Sequence, residues 1–331
     1  MLENRYEIMA LVEARMCNPN GDPDLGNAPR MDFVTNQGII TDVAFKSRMR
    51  NYVNHAYADK DGYSILMRNG NSINRDIAEA NISVNGGKPD KGKNTKEAAA
   101  FMCEKYWDVR TFGAVLSTGL NAGQVRGATQ VGMSLSVDPI ESITSTITRC
   151  CYTADVPGTP TLEKYDKKDA EMSDDAKRTM GTKSYTPYGL YVMKMTVSAN
   201  LADKVGFDEE DLRILLESVV QMYNDDASSS KMGMSVLTPV MVFKHVGTNA
   251  GNAEQLRREC KLGCASAYKL FELLEIQKKE DVIAPRKYQD YDIVLHLENL
   301  PNGVVCGLKK SAYADIDWMD VKEPLNLSKL L

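Results

Sequence analysis

The pattern of apolar and polar positions divides the chain into a few strong elements separated by long polar stretches. Residues 5–14, Arg-Tyr-Glu-Ile-Met-Ala-Leu-Val-Glu-Ala, predict a buried strand near the N-terminus. The next stretch, Asn18-Pro-Asn-Gly-Asp-Pro-Asp-Leu-Gly-Asn27-Ala-Pro-Arg30, consists almost wholly of turn formers and predicts a loop. Thr41 is placed to cap a helix whose positive end suits Asp42. Phe45, Met49, Tyr52, Val53 and Ala56 then fall within about 100° on a helical wheel. Lys46 and Arg50 share one flank of that stripe, and Arg48 lies on the other.

Residues 59–93 are polar and Asn/Gly-rich, with no long periodic element. Helix is predicted again over Thr95–Trp107, extending toward Leu116, and residues 127–150 read as extended. Residues 154–187 combine Pro157, Pro160 and Pro187 with mixed charge and few large apolar side chains, which predicts a protruding arm. In the strand that follows, Tyr191, Met193, Met195 and Val197 alternate onto one face. The clearest helix covers 208–223, with an acidic first turn and a stripe of Leu212, Leu215, Leu216, Val219 and Tyr223. Strands are predicted at 236–245 and 289–298. This β-α-β…β-α-β order predicts an α+β, ferredoxin-like or RRM-like sheet.

Composition adds an ordinary globular background: 43% hydrophobic, 26% charged, net charge −5 and pI near 5.5. The acidity argues against coating nucleic acid by bulk positive charge. Basic and acidic side chains balance in residues 1–150, so any basic groove is expected there first. The N-terminus has no basic or long apolar segment of the signal-peptide kind, and no apolar run approaches membrane-span length. Seven cysteines without a secretory signal predict reduced thiols in the cytoplasm. Cys260 and Cys264 have no second pair or adjacent histidine, so their four-residue spacing favours a helix core face over zinc. His55, His245 and His296 are scattered, and the sequence supports neither histidine-based metal chemistry nor a Cys/His nucleophile.

Two loops resemble ligand-binding motifs and fail on register. Read from Asn18 as a calcium loop, the required Gly and Glu positions are Pro23 and Pro29. Gly87-Lys-Pro-Asp-Lys-Gly-Lys-Asn94 has phosphate-loop spacing, but Asn94 replaces the hydroxyl residue and Pro89 removes a backbone amide. Lys88, Lys91, Lys93 and Lys96 remain available to a polyanion. Lys46 has a plain alternative in an i,i+4 pair with Asp42. Asp108-Val-Arg-Thr-Phe-Gly113 and Gly123-Gln-Val-Arg-Gly127 place arginines beside glycines. Gly119, Gly123 and Gly127 recur every four residues, which fits helix packing or close backbone approach to a ligand.

Several blocks in order carry a resemblance to one family. They are Asn18-Pro-Asn-Gly-Asp-Pro-Asp with Asn27 and Pro29-Arg30, Thr41-Asp-Val with Lys46 and Arg50, and the two arginine–glycine segments. Ser136-Val-Asp-Pro139, Thr146-Ile-Thr-Arg149 and Thr179-Met-Gly-Thr-Lys183 with Pro187-Tyr-Gly-Leu-Tyr191 follow. Together they resemble the backbone (RAMP-superfamily) subunit of CRISPR Cascade complexes, most closely that of type I-C. The resemblance implies one hand-shaped chain: an RRM-like palm from about 1–58, 108–149 and 188–331, fingers over 59–107, and a β-hairpin thumb over 150–187. It implies a non-catalytic subunit that polymerises along the guide RNA spacer, holds the phosphate backbone and presents bases to a target DNA strand. Implied partners are other copies of itself, other Cascade subunits and a recruited helicase-nuclease; no cofactor, metal or membrane is implied. The implied RNA contacts are Asn18, Asn20, Arg30, Lys46, Arg50, Arg126 and Lys183, with Met180 as a wedge near a displaced base. The alternative is a magnesium-dependent ribonuclease of the type III backbone kind, using Asp22 or Asp24.

Overall fold

The computed structural model describes residues 1–248 and 251–331. The predicted N-terminal strand forms as Tyr6–Cys17 and occupies the middle of a mixed α/β architecture. Antiparallel partners flank it on both sides: the long strand Thr179–Val197 and the strand Met234–His245. Val304–Lys309 pairs outside the latter, and Ser134–Pro139 followed by Gln37–Ile40 outside the former. Among the described residues this sheet has nine strands.

The apolar run of the first strand follows from burial of both its faces. Tyr6, Ile8, Ala10, Val12 and Ala14 join Tyr191, Met193, Met195 and Val197 under the helical layer. Met9 and Leu11, with Leu190, Met241 and Phe243, pack instead against Leu270, Tyr291, Ile293 and Leu295. A C-terminal unit therefore covers the second face. It contains the short helix Ala267–Phe271 and a three-stranded sheet of Leu274–Lys278, Tyr291–His296 and Pro324–Asn326.

The two strongest predicted helices make most of the opposite layer. Thr41 caps Asp42–Ala56 by accepting a hydrogen bond from the Ala44 amide at 3.3 Å, and Phe45, Met49, Tyr52 and Val53 are buried. Ala56, predicted on that stripe, is exposed because the helix runs off its support there. Asp208 and Asp211 form a capping box at the start of Glu209–Asp225, whose predicted stripe is buried throughout. Buried Glu217 ties the helices together, accepting from Tyr52 at 2.6 Å and Tyr57 at 2.9 Å while pairing with Arg213 at 2.7 Å.

Other expectations need correction. Residues 59–93 contain a helix, Ile73–Val84, whose stripe is broken in sequence by buried Asp76 and Asn81. Asn81 earns its burial through hydrogen bonds to Asp90 and Leu120. The helix predicted toward Leu116 stops at Lys105: Tyr106 is extended, Trp107–Phe112 forms a separate short helix, and Gly113 ends it with φ +83°. Cys260 and Cys264 do not share a core helix face, since helix Ala253–Leu262 ends between them and both are partly exposed. The extended 127–150 region resolves into Thr129–Val131, Ser134–Pro139 and Ile143–Arg149.

Strand Ile143–Arg149 pairs with Thr179–Tyr185, the outer part of the long strand, to form a hairpin leaving the sheet. The segment between them carries helix Leu162–Glu171, which has no buried residue. Of the segment 154–187 expected as an arm, the part to Tyr185 carries this helix and the outer hairpin strand, while Thr186 is buried and pairs with Cys17 in the central sheet.

Candidate nucleic-acid interface

Antiparallel pairing brings three chain segments to one end of the sheet. The end of the first strand continues into the loop at 18–30, while the long strand enters beside it at Thr186 and the third strand begins beside it at Met234. Asn18 is buried; its Nδ2 donates to the carbonyls of Asn27 at 2.7 Å and Ser184 at 3.3 Å, but its Oδ1 has no partner among the described residues. Asn20 Oδ1 accepts from both the amide and hydroxyl of Thr41, at 2.9 and 3.0 Å. That contact joins the loop to the N-terminus of helix Asp42–Ala56, where amides are favourable neighbours for an anion. Arg30 reaches Asp22 at 3.3 Å and retains a buried Nε without a partner. Asp22 also accepts from the Asp24 amide at 3.1 Å. A Cβ on Gly21 would displace the Asn27 side chain, whose Cγ would lie 2.8 Å from it.

Lys231 is the central residue that the sequence reading missed. Its Nζ donates to the carbonyl of Asn18 at 2.6 Å and to that of Pro19, fastening the loop to the segment before Met234. Lys183 reaches the Ser229 carbonyl of the same segment at 3.1 Å. Burial, aided by the Arg48 guanidinium, pushes the Lys231 pKa down to about 8. The unfolded chain therefore binds more protons than the folded one between about pH 8 and the ordinary lysine range, and stability from this group rises with pH there. Unfolding curves of the wild type relative to Lys231→Met should be parallel up to about pH 8 and diverge by about 3 kcal/mol in favour of the wild type near pH 10.5. A constant difference across that range would contradict the burial.

Lys46 and Arg50 sit together, 6.0 and 5.1 Å from the centre of the Phe112 ring. Lys46 makes the plain i,i+4 pair with Asp42 at 2.8 Å. Arg50 donates to buried Asp108 at 2.9 Å, and Asp108 also accepts the amides of Leu66 and Met67. Arg50 is thus held by structure as well as available at its partly exposed edge. Arg110 is wholly structural, forming two bonds to buried Asp211 at 2.9 and 2.7 Å.

Arg126 is exposed beside Gly113 and hence near Phe112, and its side chain has no hydrogen bond or ion pair among the described residues. Gly113 and Gly127 are spent on one another's backbones: a Cβ on Gly113 would lie 2.8 Å from the Gly127 nitrogen. The four-residue glycine spacing therefore marks neither helix packing nor a ligand approach at that pair. On the hairpin, Met180 pairs with Thr148 and Lys183 with Ser145. Three residues apart on one strand, they point to opposite faces. Met180 is 75% exposed and shares its face with Thr144, Thr146, Thr148, Thr182 and Ser184.

The loop at 87–94 follows a helix rather than a strand, and its Lys88, Lys91 and Lys93 are exposed, as is Lys96 in the first turn of helix Thr95–Lys105. Lys93 pairs with Asp90 at 3.0 Å. Among the described residues, no group of three or more His, Cys, Asp or Glu is arranged to hold a metal ion, and no helix is long and apolar enough to cross a membrane.

A covered antiparallel sheet with a polar loop gathered at one end, its cations mostly paired with neighbouring carboxylates, defines a mixed α/β protein. The sequence profile of the CRISPR-associated protein Cas7 family matches residues 4–296, and the chain belongs to that family. A 116-residue stretch is 34% identical to the CRISPR-associated protein Cas7 of Haloferax volcanii, covering 34% of this chain and 33% of that one. The match thus spans about a third of the curated relative. Among solved structures, a chain of a CRISPR RNA-guided surveillance complex in a pre-nicking state aligns with TM-score 0.43 and 14% identity, over 72% of this chain and 78% of the other. A type III-B Cmr-beta complex bound to cognate target RNA contains a chain aligning at TM-score 0.37 and 10% identity, over 72% and 61% of the two chains.

Proposed function

We propose that this chain is a non-catalytic backbone subunit of a type I-C-like Cascade, polymerising along the spacer of a CRISPR guide RNA. Family membership across residues 4–296 is the observation that carries the reading. The order of the four central strands, with helices Asp42–Ala56 and Glu209–Asp225 in the connections, supports an RRM-like palm. Residues 59–107 are assigned to the fingers and the hairpin arm to the thumb.

Both faces of the palm sheet are covered, so bases have no open sheet to stack on. Contacts fall instead to the sheet end and the hairpin. Arg30, Lys46, Arg50, Arg126 and Lys183 supply positive charge for the RNA backbone, and Asn18 and Asn20 hold the loop that carries Arg30. Met180, exposed on its threonine-rich face, is assigned as a wedge near a displaced base. The remaining bases then pair with a target DNA strand, so sequence is read by base pairing and not by the protein. Other Cascade subunits and a helicase-nuclease would join the assembled filament. Cleavage at Asp22 or Asp24 receives no comparable support, since Asp22 is committed to Arg30 and to the Asp24 amide.

Arg126 and Lys183 make the cleanest test, because neither holds a buried partner. Arg126→Ala with Lys183→Ala should leave thermal stability unchanged and weaken guide RNA binding. If each cation neutralises one phosphate, the slope of log affinity against log salt should become shallower by about 1.4 in total. Wild-type affinity with an unchanged slope would remove these residues from the interface.

A further inference from the structure

The first strand of the hairpin, Ile143–Arg149, runs directly into two consecutive cysteines, Cys150 and Cys151, and both are exposed free thiols. Cysteine is among the most buried residue types, so a pair kept at the surface is unusual. Among the described residues neither sulfur takes part in a hydrogen bond. Their backbone, by contrast, is tied down. The Cys151 carbonyl accepts from Arg149 Nε at 3.2 Å and from the Thr179 hydroxyl at 3.2 Å. Arg149 also donates to the hydroxyls of Thr153 at 3.3 Å and Thr179 at 3.4 Å, and Thr179 is its pairing partner across the hairpin. The peptide carrying the two thiols is therefore held to both strands, while the thiols themselves are uncommitted. The other cysteines differ: Cys17, Cys103 and Cys306 are buried, and Cys264 Sγ donates to the Gly303 carbonyl at 2.9 Å.

Adjacency decides what the pair can hold. Both residues lie in a bend beyond the strand, so their side chains are not forced to opposite faces. Across a trans peptide the two Cα atoms are about 3.8 Å apart, short of the range of about 4.4–6.8 Å that an unstrained disulfide spans. A direct S–S bond is thus disfavoured, and one atom bridging the two sulfurs relieves the ring. That atom has to be satisfied by two sulfurs alone. Zinc takes four ligands, and among the described residues no group of three or more His, Cys, Asp or Glu is arranged to hold a metal ion. Trivalent arsenic carrying one organic group is soft, takes two sulfurs and binds them on the same side.

We propose that Cys150 and Cys151 form a chelating dithiol site for monosubstituted trivalent arsenicals, separate from the proposed guide contacts. With an organoarsenic oxide, each Sγ attacks arsenic in turn. Two As–S bonds form, the arsenic–oxygen double bond breaks, and the two thiol protons leave with the oxygen as one water. Arsenic stays trivalent, so neither an oxidant nor a reductant takes part. Once the first sulfur is attached, the second attacks within the same molecule. Such linkage raises affinity by about 10²–10⁴ over one thiol alone.

The full native chain, freshly reduced and free of RNA, is titrated with phenylarsine oxide and followed by intact mass and peptide mapping. One adduct per chain is expected, carried by Cys150 and Cys151 together, with two free thiols lost for each arsenic bound. The dithiol 2,3-dimercaptopropanol should release it, whereas the same concentration of glutathione should not. Cys150→Ser and Cys151→Ser should each weaken binding about 100-fold. Both positions are exposed, so the two variants should melt as the wild type does. Wild-type affinity in either variant, an adduct mapped to Cys260 and Cys264, or release by glutathione alone would overturn the proposal. So would a pair that resists the reagent because its sulfurs are bonded to each other. Because no RNA is present, failure here leaves the guide-RNA reading standing.

Discussion

Replacing Arg110 by alanine should cost about 3–5 kcal/mol in urea unfolding, because it leaves Asp211 charged, buried and unpaired. The guanidinium makes two bonds to that carboxylate, at 2.9 and 2.7 Å, and donates to the Cys103 carbonyl at 3.2 Å. It also lies 4.8 Å from the Tyr63 ring centre. One side chain therefore connects Tyr63 and Cys103 to the start of helix Glu209–Asp225. Arg110→Lys should recover little, since an ammonium cannot form the paired bonds. A loss below about 1 kcal/mol for Arg110→Ala would show that the pair contributes as an exposed ion pair does.

Gly127→Ala should cost about 3 kcal/mol through overpacking against backbone. The added Cβ would lie 2.5 Å from the Phe112 carbonyl carbon and the Thr111 oxygen, and closer still to the Gly113 nitrogen. None of these atoms can move as a flexible side chain does. Relief requires separating the 124–127 segment from helix Trp107–Phe112, which shifts Phe112 beneath Lys46 and Arg50 and moves Arg126 beside it. Urea unfolding should report the lost stability, and guide RNA affinity should fall with it. Gly123→Ala is the contrast: its Cβ meets only the Thr95 oxygen at 3.6 Å, so its cost is the positive φ of +77° alone, about 1 kcal/mol. Equal stability losses in the two variants would refute the close-contact explanation.

These residues also show what could be read from sequence and what could not. The first strand and helices Asp42–Ala56 and Glu209–Asp225 were legible because burial imposes an apolar run on one and a helical stripe on the others. Helix Ile73–Val84 was not, because buried Asp76 and Asn81 interrupt its pattern while hydrogen bonds compensate their burial. The arm was legible as a lack of apolar anchors, but its root at Ile143 was hidden in a Thr/Ser-rich extended stretch. The covering of the sheet's second face was missed since short strands and helices in 253–331 give weak periodic signals.

For the candidate interface, residue types were visible but their commitments were not. Arg110 and Arg126 look alike in two arginine–glycine segments, yet one is buried on Asp211 and the other is exposed. Arg50 looked free and instead holds Asp108, so alanine replacement of Lys46 and Arg50 together tests folding and RNA contact at once. Lys231 belongs to a serine-rich turn with no motif of its own; only pairing of the central strands brings it beneath Asn18 and Pro19. Charge was informative in the same limited way. A net charge of −5 excludes indiscriminate coating but is compatible with cations gathered at one sheet end.

The central claim is that this Cas7-family chain is a scaffold for a guide RNA, and the nucleic acid that travels with it is the direct measurement. Protein purified at low salt from cells that express it should co-elute with short RNA of uniform length in an assembly larger than the monomer. The RNA should be released as salt rises, and it should remain intact on incubation with magnesium. A chain that elutes as an RNA-free monomer in the presence of its guide, or that cuts the RNA at regular intervals, would contradict the account.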